Sequence, residues 1–340
     1  MARRNVCDTC GGNLLFSPDS GLMECEHCGN AIALKKSKSA SRPLTRRYSE
    51  TYTMTPTEST SQTYLCSSCG ATVSFEETEV KKRCPSCGDI SLNRQQRSIY
   101  VPDAIIPFVV SRDKAISIFR EWIGSRKFAP NNLKQMAKLG KISGLYIPAW
   151  NFSFRLVVGY NADVTRTEER NDQFFTKHFY VDGVEEKTFA NVLLTANKRI
   201  SNQTVDELEP FDASKMIPYS NEYVFGFSGL DTDLDIHESF EEVRHEKENA
   251  LKSKIRSNLK EKYETIEKLD TFDQLKGCTF SHTYVPVWAN HYTYNGKQYH
   301  CYINGQTGKA TGKAPKSFWK IFGLIGGIVG AIALAAIIIF

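Results

Sequence analysis

From residue 100 onward, apolar stretches alternate with short turn signals, and this pattern is typical of a β-rich region. Aromatic and β-branched residues fill the stretches, while Gly, Asn and Asp stand between them. The pattern predicts strands at 144–154, 157–167, 174–181 and 285–294. Asn295-Gly296 lies between two alternating runs and predicts a two-residue hairpin in which Tyr294 pairs with Lys297. A second turn is predicted at 304–308.

Apolar residues also recur at steps of three and four, which predicts helices. One helix is predicted at 112–124, with Gly124 as its stop, and a short one at 131–139. A long helix is predicted from about 233 to 269, because an apolar stripe runs through this segment. The stripe consists of Ile236, Phe240, Val243, Leu251, Ile255, Leu259, Tyr263 and Ile266. The opposite, charged face of this helix is predicted to face solvent.

Two short motifs occur twice in the β-rich region. Tyr146-Ile-Pro-Ala-Trp150 resembles Tyr284-Val-Pro-Val-Trp288, and Ile105-Ile-Pro-Phe108 shares its apolar-Pro-aromatic core with Met216-Ile-Pro-Tyr219. Proline within a strand run belongs at a strand start, an edge or a bulge. The repetition indicates either two related half-units or a chance recurrence in a region rich in proline and aromatic residues.

The first hundred residues lack this periodicity and carry eight of the ten cysteines. They form four Cys-x-x-Cys pairs in two sets, and fourteen residues separate the pairs within each set. The first set is Cys7, Cys10, Cys25 and Cys28, and the second is Cys66, Cys69, Cys84 and Cys87. A glycine follows the second cysteine of every pair and permits the positive φ of a tight turn. The pattern predicts two Cys₄ zinc ribbons with two structural Zn²⁺ ions per chain.

The cysteines also allow other interpretations. Disulfides require an oxidising compartment, and no signal peptide is evident. Iron can occupy a rubredoxin-like site of four cysteines, and His27, inside the second pair, can replace a thiolate. Because four thiolates leave no coordination position open for water, the metal is predicted to be structural rather than catalytic.

Together these patterns predict a multidomain protein. Zinc ribbons are predicted at 1–34 and 64–98, joined by a flexible, basic, Ser/Thr-rich linker at 35–63. An α+β domain with mainly antiparallel strands and one long helix is predicted at 99–315. A single C-terminal transmembrane helix is predicted within 316–340.

The predicted membrane anchor is the segment 321–340, which carries no charge and no side chain more polar than glycine. Twenty helical residues span about 30 Å, the thickness of the hydrocarbon core. Lysines before this span predict a single-pass protein with its body in the cytoplasm. Small residues recur every four positions and predict packing of membrane helices, although abundant glycine and alanine produce the same stripe. They are Gly323, Gly327, Ala331 and Ala335. A buried core helix is the alternative.

The predicted hairpin register places His291 opposite His300 and Asn290 opposite Cys301. Two facing histidines beside a cysteine can bind a metal or sense pH, and the alternative is a pair of packed or surface residues. Cys278 and Cys301 lie outside the ribbon pattern and are predicted to be reduced thiols.

The net charge of +5 bears on the partners of the ribbons. Residues 1–100 carry 13 Lys or Arg and 10 Asp or Glu, which is a weak footprint for phosphates. Nucleic-acid binding is therefore the less favoured alternative. The basic residues of the linker can equally bind anionic membrane lipid. No motif of a catalytic triad, P-loop, zinc protease or dinucleotide fold occurs, so neither an enzyme nor a small-molecule substrate is predicted.

The ordered set of motifs resembles bacterial TFIIB-type double zinc-ribbon proteins that carry a single membrane anchor. The resemblance covers most of the chain and rests on the ribbon cysteines, the repeated motifs and Asn304-Gly-Gln-Thr-Gly308. It implies that all eight ribbon cysteines bind metal, and that the protein is a scaffolding adaptor at the cytoplasmic face of the membrane in envelope stress. The implied partners are a sister membrane anchor, an SPFH-domain (flotillin-like) protein and, through it, a phage-shock coiled-coil protein. The alternative is a membrane-tethered zinc-ribbon protein for nucleic-acid binding or transcription.

Overall fold

A large, mainly antiparallel β-sheet is the centre of the protein in the computed structural model. The structure describes residues 6–34, 45–55, 62–67, 72–75, 91–95, 100–130, 132–133, 142–318, 320, 322 and 326–327. The strands are β1 (Leu14–Ser17), β2 (Leu22–Cys25), β3 (Ala31–Ile32), β4 (Arg46–Arg47), β5 (Gln62–Cys66), β6 (Thr72–Phe75), β7 (Leu92–Gln95), β8 (Ala104–Ile105), β9 (Ile142–Arg170), β10 (Gln173–Thr195), β11 (Ile217–Pro218), β12 (Ser228–Gly229), β13 (Thr265–Tyr294), β14 (Lys297–Asn304) and β15 (Ala310–Gly312). The helices are α1 (Arg112–Gly124), α2 (Asn202–Leu208) and α3 (Ile236–Lys262), with 3₁₀ turns at Ala213–Lys215 and Asn221–Tyr223.

The strand order of the large sheet is β10-β9-β13-β14-β15, with the short strands β4, β8, β11 and β12 at its side. β9 pairs with β13 over nearly its whole length, from Thr165 opposite Thr265 to Ile142 opposite Asn290. The predicted strands at 144–154 and 157–167 are therefore one strand, because no turn residue with positive φ interrupts them. Two small sheets, β1-β2-β3 and β6-β5-β7, belong to the cysteine-rich region.

Two of the three predicted helices can be compared with the structure. The helix predicted at 112–124 is confirmed as α1. The helix predicted from 233 to 269 is confirmed in its centre, but α3 ends at Lys262 and β13 begins at Thr265. Tyr263 and Ile266 fit the helical stripe, yet Ile266 lies in the strand opposite Val164. Of the helix predicted at 131–139, only residues 132–133 are described.

The repeated motifs face each other across the sheet. Tyr146 lies opposite Pro286, and Pro148 opposite Tyr284, so the two Tyr-x-Pro-x-Trp motifs run antiparallel. Ile105 and Ile217 of the second motif pair also lie opposite each other in β8 and β11.

Hydrogen bonds at equivalent positions show that the repetition reflects two related half-units. Trp150 Nε1 donates to Leu234 O (3.3 Å), and Trp288 Nε1 donates to Val110 O (2.8 Å). Each acceptor lies two residues before a helix, α3 or α1. Ala196 N donates to Pro148 O (2.9 Å), and Gly305 N donates to Pro286 O (2.8 Å). The half-units are thus related by an approximate two-fold axis between β9 and β13.

Both faces of the central sheet are covered. On one face, α1 and α3 pack against the large aromatic residues of β9 and β13, including Trp150, Phe152, Phe280 and Trp288. On the other face, α2 and β5 cover the aliphatic residues Leu145, Ile147, Val285 and Val287. The core therefore lies in two layers, and the cysteine-rich region contributes to both.

Part of the predicted flexible linker is folded against the sheet. β4 pairs with β13 through Arg46 opposite Phe280. The Tyr48 ring lies 4.5 Å from that of Phe240, and its hydroxyl lies 2.9 Å from His237 Nδ1. Arg46 forms a bidentate ion pair with Asp103, with Nη2–Oδ1 at 2.6 Å and Nε–Oδ2 at 3.2 Å. Residues 45–55 are therefore held against the sheet, because Arg46 gains the buried Asp103 as its partner and Tyr48 gains the half-buried His237.

Replacing Arg46 with alanine is expected to loosen residues 45–55. Asp103 is only 5% exposed and would lose its cation, whereas the Arg46 side chain is 29% exposed. Removing one partner of a fully buried pair costs about 3–5 kcal/mol, so we expect about 2 kcal/mol for this half-screened pair. Hydrogen exchange of residues 45–55 measures the loosening, and denaturant unfolding measures the loss of stability. Arg47→Ala, at an exposed position, should change neither, and unchanged exchange in Arg46→Ala would contradict the prediction.

The prediction of a transmembrane fold class needs correction. Among the residues that the structure describes, no helix is both long and apolar enough to cross a bilayer. Within 321–340 only Phe322, Gly326 and Gly327 are described, and the other positions of the predicted span lie outside. An apolar run indicates burial but does not by itself establish one unbroken helix. The fold class is corrected to a mainly antiparallel β protein with three α-helices among the described residues. The predicted single-pass, tail-anchored location is corrected as well.

Candidate metal centre

The first four predicted ligands converge at the N-terminus. The Sγ atoms of Cys7, Cys10, Cys25 and Cys28 all lie within 4.8 Å of one another. Cys7 Sγ is 3.7 Å from Cys28 Sγ, and Cys10 Sγ is 3.4 Å from Cys25 Sγ. Such a group can hold one metal ion with four thiolates. It is the one group of this kind in the described part of the chain.

Two tight turns bring the thiols together. Gly11 N donates to Cys7 O (2.8 Å), and Gly29 N donates to Cys25 O (3.0 Å). Both glycines have φ near +70°, which a side chain at these positions would strain. The prediction that the glycines permit the turns is confirmed for this set. β1 and β2 then fix the spacing between the turns, since Leu14 pairs with Cys25.

Backbone N–H groups favour the thiolate form at two ligands. The N–H of Thr9 lowers the pKa of Cys7 to about 6, and the N–H groups of Cys28 and His27 lower the pKa of Cys25. At Cys10 the Gly12 N–H lowers the pKa, but the neighbouring sulfurs of Cys28 and Cys25 outweigh it and raise the pKa to about 12. A cation between the sulfurs removes that repulsion, so the full thiolate set fits a bound metal.

The ligand set leaves no role for His27 in coordination. The group contains four sulfurs and no imidazole nitrogen, and His27 contributes its backbone N–H to Cys25. Four thiolates complete a tetrahedral shell, which is the arrangement of structural sites. Cys7 and Cys25 are buried, while Cys10 and Cys28 are exposed.

The first ribbon is docked on the body of the protein. The Phe16 ring contacts Tyr223 at 5.1 Å between centroids, and Phe16 N donates to Phe225 O (3.1 Å). A Cβ on Gly226 would lie 3.3 Å from the Leu15 Cβ, so the two segments approach closely. Sequence reasoning missed this contact, because Leu15 and Phe16 resemble ordinary ribbon residues.

Of the second predicted set, only Cys66 is described. It ends β5 and is fully buried, and Tyr64 of the same strand is 9% exposed. Both join the cluster formed by Leu145 and Val285 on one face of the central sheet. Cys69, Cys84 and Cys87 lie outside the described residues, so a second metal site remains a prediction.

The hairpin register predicted for the histidines is confirmed. His291 pairs with His300 and Asn290 with Cys301, and the two Nδ1 atoms lie 2.6 Å apart. Cys301 does not join them. It is fully buried with Asn290, on the opposite face of β14 from the adjacent His300. Burial raises the pKa of both Cys278 and Cys301 to about 12, which fits the prediction of reduced thiols.

Of the residues predicted to pack membrane helices, Gly327 is described. A Cβ on Gly327 would meet no atom within 4 Å. Gly323, Ala331 and Ala335 lie outside the described residues.

Comparison with known proteins gives one similar curated protein. It is described as uncharacterized protein YdjG of Bacillus subtilis (strain 168) and is 24% identical over 311 residues. The alignment covers 89% of this chain and 87% of that protein, so the similarity extends over most of both chains. No protein-family model matches the chain. No solved structure matches it either.

Proposed function

We propose that this protein is a non-catalytic adaptor in which zinc ribbons, held on a rigid β body, present binding surfaces to partner proteins. The closed group of four cysteines is the observation that carries the proposal. Its four thiolates complete the shell of a metal ion, so the metal stabilises a surface rather than activating a substrate.

We further propose that the metal is zinc and that the chain binds two ions. Thiolate-only tetrahedral sites favour Zn²⁺ among available divalent ions, with iron as the chemical competitor. The second site would repeat the first, since the cysteine spacing is the same in both sets. The burial of Cys66 against the body agrees with a folded second ribbon.

The attachment of the ribbons favours display of a fixed surface. Phe16 and Leu15 dock the first ribbon on residues 223–227, while β5 docks on the central sheet. A rigid surface loses less conformational entropy on binding than a tethered one. The resemblance to double zinc-ribbon proteins suggests an SPFH-domain protein and a phage-shock coiled-coil protein as partner classes in a stress response.

Elemental analysis should find two zinc ions per chain in protein purified without chelator. Two Cys₄ sets of identical spacing are the reason for this number. About one ion per chain would contradict the second site, and stoichiometric iron would contradict the metal. Cys66→Ser is expected to lower the zinc content by one while leaving the first site filled.

Crosslinked pull-down from the source cells tests the adaptor function. The bait is the full chain, and it is compared with Cys10→Ser and with Cys301→Ser. The first variant removes an exposed ligand, and the second removes a buried cysteine that is not a ligand. Partners should be captured by the intact chain and by Cys301→Ser, and lost with Cys10→Ser. Equal capture by all three would overturn the role of the ribbon.

A salt titration with labelled DNA and RNA separates protein display from nucleic-acid binding. Arg46, which belongs to the basic segment, is already paired with Asp103, so the free positive charge of this segment is smaller than its composition indicates. Weak binding that shows no steep salt dependence is expected. Tight binding with a steep salt slope would replace the proposal by the nucleic-acid alternative.

A further inference from the structure

The three longest strands extend beyond the central core as an arm. The arm consists of residues 155–188 of β9 and β10 together with residues 265–276 of β13. α3 covers one face of it, where Val243, Leu251 and Ile255 pack with Leu156 and neighbouring residues. The other face, here called the open face, carries exposed apolar side chains. Tyr180, Val184 and Phe272 are each 60–67% exposed there.

The aromatic ring of Phe272 lies flat on the open face. Gly159 is directly opposite Phe272, and a Cβ at Gly159 would lie only 2.1 Å from the Phe272 ring. The ring therefore occupies the space that any larger residue at 159 would fill. Val184, on the other side of Gly159, and Val157, two residues along, extend this apolar band across the three strands.

Charges of opposite sign flank the apolar band. On one side, a cross-strand row consists of Asp182, Asn161 and Asp270. On the other side, the first row consists of Glu186, Val157 and Gln274. The next row consists of Thr188, Arg155 and Lys276 and is basic. Within the chain Asp270 pairs with Lys268 and Glu186 with Arg155, but these side chains are 44–64% exposed. Exposed pairs of this kind contribute little and exchange readily.

We propose that the open face binds the open face of a second copy of this chain. The two copies are related by a two-fold axis that lies between the two sheets and runs perpendicular to the strands. The axis passes between the rows of Phe272 and Gln274, so each face contacts the same face of the other copy. This axis brings Asp270 opposite Lys276 of the other copy, and Val157 opposite Gly159. The same placement buries Phe272 at the centre, where interfaces gain most of their stability.

The size of the open face fits a reversible dimer. With this axis the rows of Asp182, Val184, Glu186 and Thr188 lie opposite one another. Four rows on three strands cover about 15 by 27 Å, given strand spacings of about 4.8 Å and about 6.8 Å per row. Two such faces bury about 800 Å² in total, which is the size of a weak, transient contact. A second copy is thus preferred over a partner of unrelated charge pattern, because Asp270 meets Lys276 and Arg155 meets Asn161 in it.

Sedimentation velocity of the full chain over a wide concentration range tests the proposal. We expect a monomer–dimer equilibrium, and at least a tenfold weaker association for Phe272→Lys. Phe175→Lys is the matched control, because Phe175 is 48% exposed on the helix-covered face of the same arm. It should associate like the unmodified chain. A monomer at every concentration, or unchanged association of Phe272→Lys, would overturn the proposal.

A charge exchange gives a second, sharper test. Asp270→Lys and Lys276→Asp should each weaken association, while the double variant should restore it to within about threefold. Because both positions are exposed, unfolding does not explain a restored double variant. If the double variant is as weak as the single ones, the proposed two-fold arrangement is wrong. The result does not depend on the ribbons, so it is separate from the adaptor proposal.

Discussion

Replacing Cys25 with serine is expected to remove the metal from the first ribbon and to unfold residues 6–34. Cys25 Sγ is buried and lies 3.4 Å from Cys10 Sγ, within the group of four sulfurs. A segment of this size buries too little apolar surface to fold alone, and structural zinc contributes on the order of 10–16 kcal/mol in small peptides. Elemental analysis should show the loss of one ion per chain, and hydrogen exchange of residues 14–25 should become fast.

Cys278→Ser is the control for this experiment. Cys278 is also buried, but it lies in the α3–sheet core and outside the metal group. It should keep the full metal content and slow exchange in the ribbon. Full metal content in Cys25→Ser would contradict the assignment of Cys25 as a ligand. Because Phe16 joins the ribbon to residues 223–227, exchange in that segment should also rise in Cys25→Ser but not in Cys278→Ser.

Replacing Trp150 with alanine is expected to lower the free energy of unfolding by about 3–5 kcal/mol. Trp150 is fully buried, and its indole nitrogen donates to Leu234 O, two residues before α3. The substitution leaves a cavity and an unpaired carbonyl, and large-to-small core changes have costs of this size. Denaturant unfolding followed by circular dichroism gives the measurement. A cost below about 1 kcal/mol would contradict the central role of this residue.

The matched variant Trp288→Ala tests the two half-units. Trp288 is 4% exposed and donates to Val110 O before α1, as Trp150 does before α3. The two variants should therefore lose similar stability, within about 1 kcal/mol. Phe175→Ala, at an exposed position of the arm, should change stability by less than about 0.5 kcal/mol. A large difference between the tryptophan variants would show that only one half-unit depends on this bond.

Short-range patterns predicted the local elements well. Spacing and glycines located the four cysteines of the first site, since a Cys-x-x-Cys turn is determined by neighbouring residues. The Asn295-Gly296 turn fixed the register of the histidine hairpin for the same reason. The predicted end of α3 is wrong because Tyr263 and Ile266 continue the helical spacing of Leu259, although the helix ends at Lys262 and a strand begins at Thr265.

Contacts between distant segments could not be read from the sequence. Arg46 lies in the segment predicted to be a flexible basic linker, although its partner Asp103 lies in a different element. Phe16 lies in the segment predicted to be the first ribbon, and its contact with Tyr223 has no signal in the sequence. The membrane anchor was inferred from apolar composition, and composition alone does not determine whether a segment forms one continuous helix. The contacts of Arg46 and Phe16 depend on which distant residues meet, and no local pattern encodes that.

The position of β9 between β10 and β13 has a consequence for folding during synthesis. β10 follows β9 directly along the chain, so the two strands can pair as soon as both are synthesised. The partner of Ile142 at the start of β9 is Asn290 of β13, which is synthesised much later. Until β13 leaves the ribosome, one edge of a 29-residue strand rich in apolar residues stays unpaired. Such an edge is a template for wrong pairing with other chains. The nascent chain therefore passes through a long interval in which a chaperone, or slow translation between the half-units, would protect it from aggregation.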